Sequence, residues 1–185
     1  SPYALQKQYS EMECRLWSKI YGLDTVSLRY FNVYSEDQQA DDSYATCIAN
    51  WMHHIRENKI PFLNGDGKNR RDMVHVEDVI SANIFAMEYD GLFSGMVYDV
   101  GTGDNISLNE ITDIVHKHFP QVKFEKRPPR KGDVLLTRAK TSNLKKLGWQ
   151  AKITIESGLN NCFYELKQFK NGKGRSEMRN NNGVM

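Results

Sequence analysis

Residues 25–31 read Thr-Val-Ser-Leu-Arg-Tyr-Phe, a run rich in β-branched and aromatic side chains. Such a run predicts a β-strand. The apolar residues before it recur at spacings of three and four, as on one face of a helix: Leu5, Tyr9, Met12, Leu16 and Ile20. Gly22 ends this stripe. The chain therefore opens with a helix that leads into a strand.

The rest of the chain continues this alternation. Strands are predicted near 61–63, 73–76, 97–100 and 122–125. Helices are predicted near 44–57, from 77 onward, after a capping box at 107–110, and near 141–147 and 155–169. The alternation predicts the α/β class. From Asn171 the chain turns polar and rich in glycine and asparagine, which predicts a disordered tail.

Composition excludes several classes of function. The 185 residues are 39% hydrophobic and 26% charged, as in a soluble globular protein. A net charge of +2 predicts neither a nucleic-acid partner nor an anionic-membrane partner. No apolar run approaches the roughly 20 residues that a membrane span needs. We expect a cytoplasmic protein.

Cysteine and histidine spacing indicates no metal site. Cys14, Cys47 and Cys162 are far apart, which predicts reduced, buried thiols. The histidine pairs are adjacent or two residues apart, whereas helical ligand pairs stand three or four apart. Gly101 and Gly103 lack the third glycine of a dinucleotide-binding turn and predict only a tight turn.

Tyr3 and Lys7 are the candidate acid–base pair. Their spacing puts a phenol and an ammonium on one helical face, one turn apart. A nearby cation favours the phenolate form that a general base needs. The same spacing equally describes an ordinary surface helix.

Two arginines in loops are candidates for binding a diphosphate. Arg71 follows the glycine-rich turn at 64–67, and Arg130 lies in a proline-stiffened loop three residues before Asp133. Planar, forked guanidinium groups suit phosphate oxygens. Spacing alone leaves open that both side chains are merely solvated.

Taken together, the motifs resemble a known family. They are, in order, Ser-Pro-Tyr-x-x-x-Lys (1–7), Leu-Arg-Tyr-Phe-Asn-Val-Tyr (28–34), Asn-Gly-Asp-Gly (64–67), Arg-Asp-Met-Val-His-Val-Glu-Asp-Val (71–79), Tyr-Asp-Val-Gly-Thr-Gly (98–103), Arg-x-Gly-Asp (130–133) and Leu-Gly-Trp (147–149). The chain resembles the C-terminal half of the extended short-chain dehydrogenase/reductase family, in its NAD-dependent nucleotide-sugar epimerase/dehydratase branch. The resemblance runs from Ser1 to about Phe169.

This resemblance implies a fold and a division into domains. The fold is the C-terminal part of a Rossmann-type doubly wound sheet plus a smaller α/β substrate-binding domain. Residues 1–34 would end the NAD-binding domain, and 35–169 would form mainly the nucleotide-sugar-binding domain. A segment near 72–90 would return to the Rossmann domain, and 170–185 would be the tail.

The resemblance also implies roles for the candidate pair. Tyr3 would exchange a proton with the sugar hydroxyl while hydride passes between the sugar carbon and NAD. Lys7 would hold the nicotinamide ribose and favour the phenolate of Tyr3. The glycine-rich turn and the catalytic Ser/Thr of the family would lie upstream, and since the sequence does not begin with Met, we expect a missing N-terminal part and an inactive isolated chain.

Further implied roles concern the substrate. Asn32 would lie beside the sugar diphosphate, and Arg71 and Arg130 would clamp it. Asp133 would take a ribose hydroxyl. The backbone from Phe62 to Asn64 would border the base.

The implied activity is inversion of C4 of a UDP-sugar through a 4-keto intermediate. A nucleotide-sugar 4,6-dehydratase and an ADP-heptose 6-epimerase are alternatives, and so is a non-catalytic module that senses a nucleotide. The family implies a homodimer for the full-length protein. The apolar stripe of the first helix fits that interface, and it equally fits packing against its own sheet.

Overall fold

The computed structural model describes residues 2–40, 46–130 and 132–172. The helices are α1 (Pro2–Tyr21), α2 (Cys47–Arg56), α3 (Val76–Glu88), α4 (Leu108–His118), α5 (Ser142–Leu147) and α6 (Ile155–Lys170). The strands are β1 (Val26–Tyr30), β2 (Val33–Tyr34), β3 (Phe62–Asn64), β4 (Arg70–Arg71), β5 (Val74–His75), β6 (Met96–Val100), β7 (Ile106–Ser107) and β8 (Glu125–Arg127). The predicted α/β class is confirmed.

The strand predicted at 122–125 is wrong in position. Val122 and Phe124 alternate with exposed residues as in a strand, but both pack on the core instead of pairing. Hydrogen bonding begins at Glu125, whose N–H donates to the Pro61 carbonyl at 2.9 Å. The predicted helix start at Tyr44 and the predicted tail from residue 173 lie outside the described residues.

Parallel pairing dominates the short sheets. β1 pairs with β6 over five residues, from Val26 opposite Met96 to Tyr30 opposite Val100. β2 pairs with β5 and β3 with β8, also in parallel, whereas β4 and β7 are antiparallel. Parallel strands joined through helices are the pattern of a doubly wound sheet.

One hydrophobic core lies among α2, α4 and α6. Fully buried side chains from each helix meet there, including Trp51, Ile111 and Phe163. Each helix starts at a side-chain cap that accepts a backbone N–H, and the cap of α4 is the predicted box of Ser107 and Glu110. These caps fix where the apolar faces begin, and so align them.

A second core joins α3 and α5 to the β1–β6 pair. Val79, Val100 and Trp149 are buried in it, and the Trp149 indole N–H donates to the Ser81 hydroxyl at 3.0 Å. Two separate cores are what a two-domain organisation requires. The domain boundaries themselves stay a prediction.

Helix α1 lies on the sheet through its polar side. All of its residues fall in the described ranges and none of them is buried. Glu11, Cys14 and Ser18 are the half-buried residues that it turns inward. The apolar stripe is exposed instead, with Leu5 at 67% and Ile20 at 61%. Packing of the stripe against its own sheet is therefore wrong for this chain.

The cysteines are free thiols of differing burial. Cys162 is buried, as predicted, but Cys14 and Cys47 are only half-buried. No helix in the described part of the chain has an apolar stretch suited to crossing a lipid bilayer.

Candidate functional site

Tyr3 and Lys7 line an open cleft beside β1. Helix α1 forms one wall and residues 27–30 form the other, around a volume of about 780 Å³. The Lys7 ammonium lies 5.5 Å from the centre of the Tyr3 ring. We name this space the tyrosine cleft. It exposes a phenol with a cation beside it.

A second cavity gathers most of the predicted substrate residues. It has a volume of about 240 Å³, and we name it the arginine cavity. Its lining consists of Asn32, Thr46, Cys47, Asn64, Arg71, Met73, Leu108, Arg130 and Asp133. Residues from widely separated segments of the chain thus border one space.

Arg71 and Asp133 form an ion pair at the wall of this cavity. The Arg71 Nη2 donates to Asp133 Oδ1 at 2.6 Å, and Asn69 donates to the other carboxylate oxygen at 2.7 Å. A carboxylate has about four acceptor positions, so Asp133 keeps acceptor capacity beyond these two hydrogen bonds.

Arg130 carries a charge that no carboxylate offsets among the residues described. Its loop is tethered to β4: Arg70 N–H donates to the Leu135 carbonyl at 2.8 Å, and Thr137 N–H donates back to the Arg70 carbonyl at 3.1 Å. Arg130 is therefore the cation of the arginine cavity that remains available to an anion.

Phe62 lies outside the lining of the arginine cavity. The Arg127 guanidinium covers its ring at 3.9 Å from the centre, a cation–π contact. The Phe62 carbonyl accepts the Trp51 indole N–H at 2.7 Å. Of the segment predicted to border the base, Asn64 reaches the cavity, and the role of Phe62 stays a prediction.

The two spaces border consecutive residues. Asn32 borders the arginine cavity, and Val33 borders the tyrosine cleft. Asn32 has a positive φ of 29°, and its amide donates to the Asp72 carbonyl at 2.6 Å. Adjacent Cα atoms stand about 3.8 Å apart, so the two spaces border the same short segment of the chain.

Asp72 anchors the segment that carries Arg71. Its carboxylate is fully buried and accepts four hydrogen bonds, from Thr102 N–H, Thr102 hydroxyl, Gly103 N–H and Ala139 N–H. A Cβ added at Gly101 would stand 2.6 Å from the Ala139 Cβ and 3.0 Å from an Asp72 oxygen. The predicted tight turn at 101–103 thus wraps a carboxylate.

Sequence reasoning missed a buried cluster of Glu36, His75 and Cys162. Their ligand atoms lie within 4.8 Å of one another. The His75 Nδ1 accepts the Glu77 N–H at 3.3 Å, which places the ring proton on Nε2, facing Glu36 at 3.2 Å. A metal ion would need the lone pair at Nε2. The arrangement favours a His–Glu hydrogen bond over metal ligation.

This hydrogen bond makes the fold sensitive to acid. Burial opposes ionisation of Glu36, but hydrogen bonds from His75, the backbone and Asn161 lower its pKa from 4.5 to about 2. The native pKa lies below the unfolded one, so the stabilisation is present above pH 4.5 and is lost as pH falls toward 2.

Glu36→Gln is expected to remove this acid-sensitive stabilisation. We expect the free energy of unfolding at pH 7 to fall by about 2 kcal/mol, with the difference from the parent shrinking as pH falls from 4.5 toward 2. Urea unfolding at several pH values measures both quantities. Glu156→Gln, on the exposed side of α6, is the control. An unchanged difference across that pH range would contradict the assignment.

Four cavity residues were also missed: Thr46, Cys47, Met73 and Leu108. Thr46 caps α2 by accepting the Ala49 N–H at 3.3 Å, and burial raises the pKa of the adjacent Cys47 thiol to about 11. The sequence predicted a helix near 44–57, and the threonine cap at residue 46 is the signal that could have located its first residues.

Comparisons with known proteins find similar sequences over most of the chain. A family model described as the NAD dependent epimerase/dehydratase family matches residues 1–101. A putative UDP-glucose 4-epimerase of Methanocaldococcus jannaschii is 33% identical over 161 residues, which are 86% of this chain and 51% of that protein.

Solved structures of nucleotide-sugar epimerases and dehydratases are similar to this chain in fold. A UDP-glucose 4-epimerase with UDP-glucose from Thermotoga maritima has a TM-score of 0.83 and 31% identity, over 92% of this chain and 54% of that one. A dTDP-glucose 4,6-dehydratase from Bacillus anthracis in complex with NAD has a TM-score of 0.78 and 25% identity, over 94% and 53%. The chain spans about half the length of the relatives that it matches.

Proposed function

Since this chain belongs to the NAD-dependent epimerase/dehydratase family, we propose that it carries the acid–base pair and the nucleotide-sugar cavity of a UDP-sugar 4-epimerase. The observation that supports this most directly is that the consecutive residues Asn32 and Val33 border the two spaces. A sugar in the tyrosine cleft, with its diphosphate in the arginine cavity, would satisfy both sets of residues.

Tyr3 would act on the sugar hydroxyl. Its phenol would exchange a proton with the 4-hydroxyl, and the Lys7 ammonium lies 5.5 Å from the centre of its ring. Both side chains face the open tyrosine cleft, where the nicotinamide ribose of NAD would contact them. NAD, when bound, supplies hydride transfer.

The arginine cavity would hold the nucleoside diphosphate. Arg130 offers a guanidinium without a carboxylate partner among the described residues, and Arg71 adds a second one that Asp133 keeps in place. Asp133 would accept a ribose hydroxyl, and the amides of Asn32 and Asn64 would lie along the phosphates and base. Forked donors and a fixed carboxylate suit a UDP moiety.

A 4,6-dehydratase is the second candidate, because one solved relative of similar fold is a dTDP-glucose 4,6-dehydratase. The two functions differ in product. The longest polypeptide that the gene encodes, supplied with NAD and a panel of UDP-sugars, is expected to yield C4 epimers. A 4-keto-6-deoxy product would favour the dehydratase, and binding without turnover would favour a nucleotide-sensing module. Robust NAD-dependent turnover by the 185-residue chain alone would contradict its expected inactivity.

Arg130→Met is expected to weaken UDP binding. Loss of a charge-assisted contact costs about 1.5–3 kcal/mol, or roughly a 10- to 100-fold rise in Kd. Calorimetric titration of the chain with UDP measures this. Arg56→Met removes the same charge from the exposed end of α2, where Arg56 covers the Phe169 ring, and should leave Kd unchanged. Equal effects from both variants would indicate nonspecific attraction and would contradict the site.

A further inference from the structure

Three charged side chains follow one another along α1 at spacings of one helical turn. They are Lys7, Glu11 and Arg15, so the Glu11 carboxylate stands between two cations on one face. A pair between Lys7 and Glu11 would offset the charge of the ammonium. The electrostatic effect of Lys7 on Tyr3 would then be weaker.

Arg29 on β1 binds Glu11 instead. Its Nε donates to Oε1 at 2.6 Å and its Nη2 donates to Oε2 at 2.6 Å, a forked ion pair that engages both carboxylate oxygens. The Glu11 side chain is only 16% exposed in this position. This geometry fixes the carboxylate against the sheet.

Arg29 is itself held from the far side. Its Nη1 lies 3.8 Å from Asp99 Oδ1 on β6, and Asp99 Oδ2 accepts the Lys140 backbone N–H at 2.9 Å. These contacts connect α1 to both strands of the β1–β6 pair. No side chain of α1 is buried, so this connection is one of the polar contacts that attach the helix to the sheet.

Lys7 is left apart from this network. In the part of the chain that the structure describes, no carboxylate forms an ion pair with Lys7, and its ammonium lies over the Tyr3 ring. The pKa of Glu11 agrees with this division. The hydrogen bond from Arg29 lowers it most, and the charges of Arg29 and Arg15 lower it further against the effect of burial.

We propose that Arg29 is a positioning residue whose forked ion pair diverts Glu11 from Lys7 and so leaves the Lys7 ammonium to act on Tyr3. The diversion of Glu11 is a property of the chain alone. The use of that charge on Tyr3 rests on the proposed function.

A double-mutant cycle, with the pKa of the Glu11 carboxyl as the measured quantity, tests whether Arg29 diverts Glu11 from Lys7. The pKa of Glu11 is measured by NMR at low ionic strength in the 185-residue chain and in its Lys7→Met, Arg29→Met and doubly substituted variants. Lys7→Met should leave this pKa unchanged in the parent. In the Arg29→Met background it should raise the pKa by about 0.3, the effect of one i, i+4 ion pair.

Equal effects of Lys7→Met in both backgrounds, including no effect in either, would overturn the proposal. If Arg29→Met fails to fold, Arg29→Lys replaces it, since lysine keeps the charge and loses the fork. A smaller effect of the same sign is then expected, and its absence counts against the proposal.

The pH dependence of turnover in the longest polypeptide that the gene encodes tests the second step. Arg29→Met should move the acidic limb to higher pH, and adding Glu11→Gln should move it back, because the competing carboxylate is then gone. A merely structural Arg29 would lower turnover without moving the limb and without rescue. Diversion seen by NMR with an unmoved limb would contradict the role of Tyr3 and leave the ion-pair assignment standing.

Discussion

Replacing Asp72 by asparagine is expected to lower the free energy of unfolding by about 3–5 kcal/mol, measured by urea denaturation. The carboxylate is fully buried, and each of its oxygens accepts two hydrogen bonds. An asparagine amide has only one acceptor oxygen. Its NH₂ group would face the donors that now contact the second oxygen, and those donors would be left buried and unsatisfied.

The donors to Asp72 come from segments that border the candidate site. Thr102 and Gly103 follow β6, and Ala139 follows the loop that carries Arg130 and Asp133. Asp113→Asn on the exposed face of α4 makes the same chemical change and should cost less than about 0.5 kcal/mol. A comparable loss in both variants would contradict the anchoring role of Asp72.

Replacing Tyr3 by phenylalanine is expected to reduce turnover by roughly 100- to 10,000-fold in the longest polypeptide that the gene encodes. The change removes one hydroxyl and keeps the ring in the tyrosine cleft. Proton transfer at the sugar hydroxyl would lose its side-chain partner, while the arginine cavity stays intact. The Kd for UDP should therefore be unchanged when turnover collapses.

Tyr9→Phe is the matched control for this change. Tyr9 lies on the same helix and is 62% exposed, but it does not line the tyrosine cleft. Turnover in this variant should equal that of the parent. Retained turnover in Tyr3→Phe would remove Tyr3 from the acid–base role, whatever the state of nucleotide binding.

Local sequence patterns predicted a helix or strand well where the groups that define it lie close together in the sequence. The capping box at Ser107 and Glu110 formed as predicted, because both partners lie within one turn. The strand at 122–125 was misplaced, because the alternation of Val122 and Phe124 with polar residues indicates which side chains are buried and not which backbone groups pair. The hydrogen bonds that define β8 depend on where β3 lies.

The candidate site divides in a similar way. Motif resemblance named Asn32, Asn64, Arg71, Arg130 and Asp133, and all of them line the arginine cavity. It gave no indication that Asp133 would pair with Arg71, or that the Phe62 ring would lie beneath Arg127. Contacts between residues 62 or more positions apart depend on how the loops are tethered.

The sequence by itself determined the family, the α/β class and the order of the helices, because these follow from residue types at short, regular spacings. The two-residue strands β2, β4 and β7 were not predicted. The tertiary structure decided which charges became partners. Glu11 has cations one turn away on either side, yet it binds Arg29, 18 residues further along the chain. An ion pair forms where the packed backbone brings two groups within reach. The distance between Glu11 and Arg29 depends on how α1 packs against β1, and the spacing of residues along α1 gives no information about it.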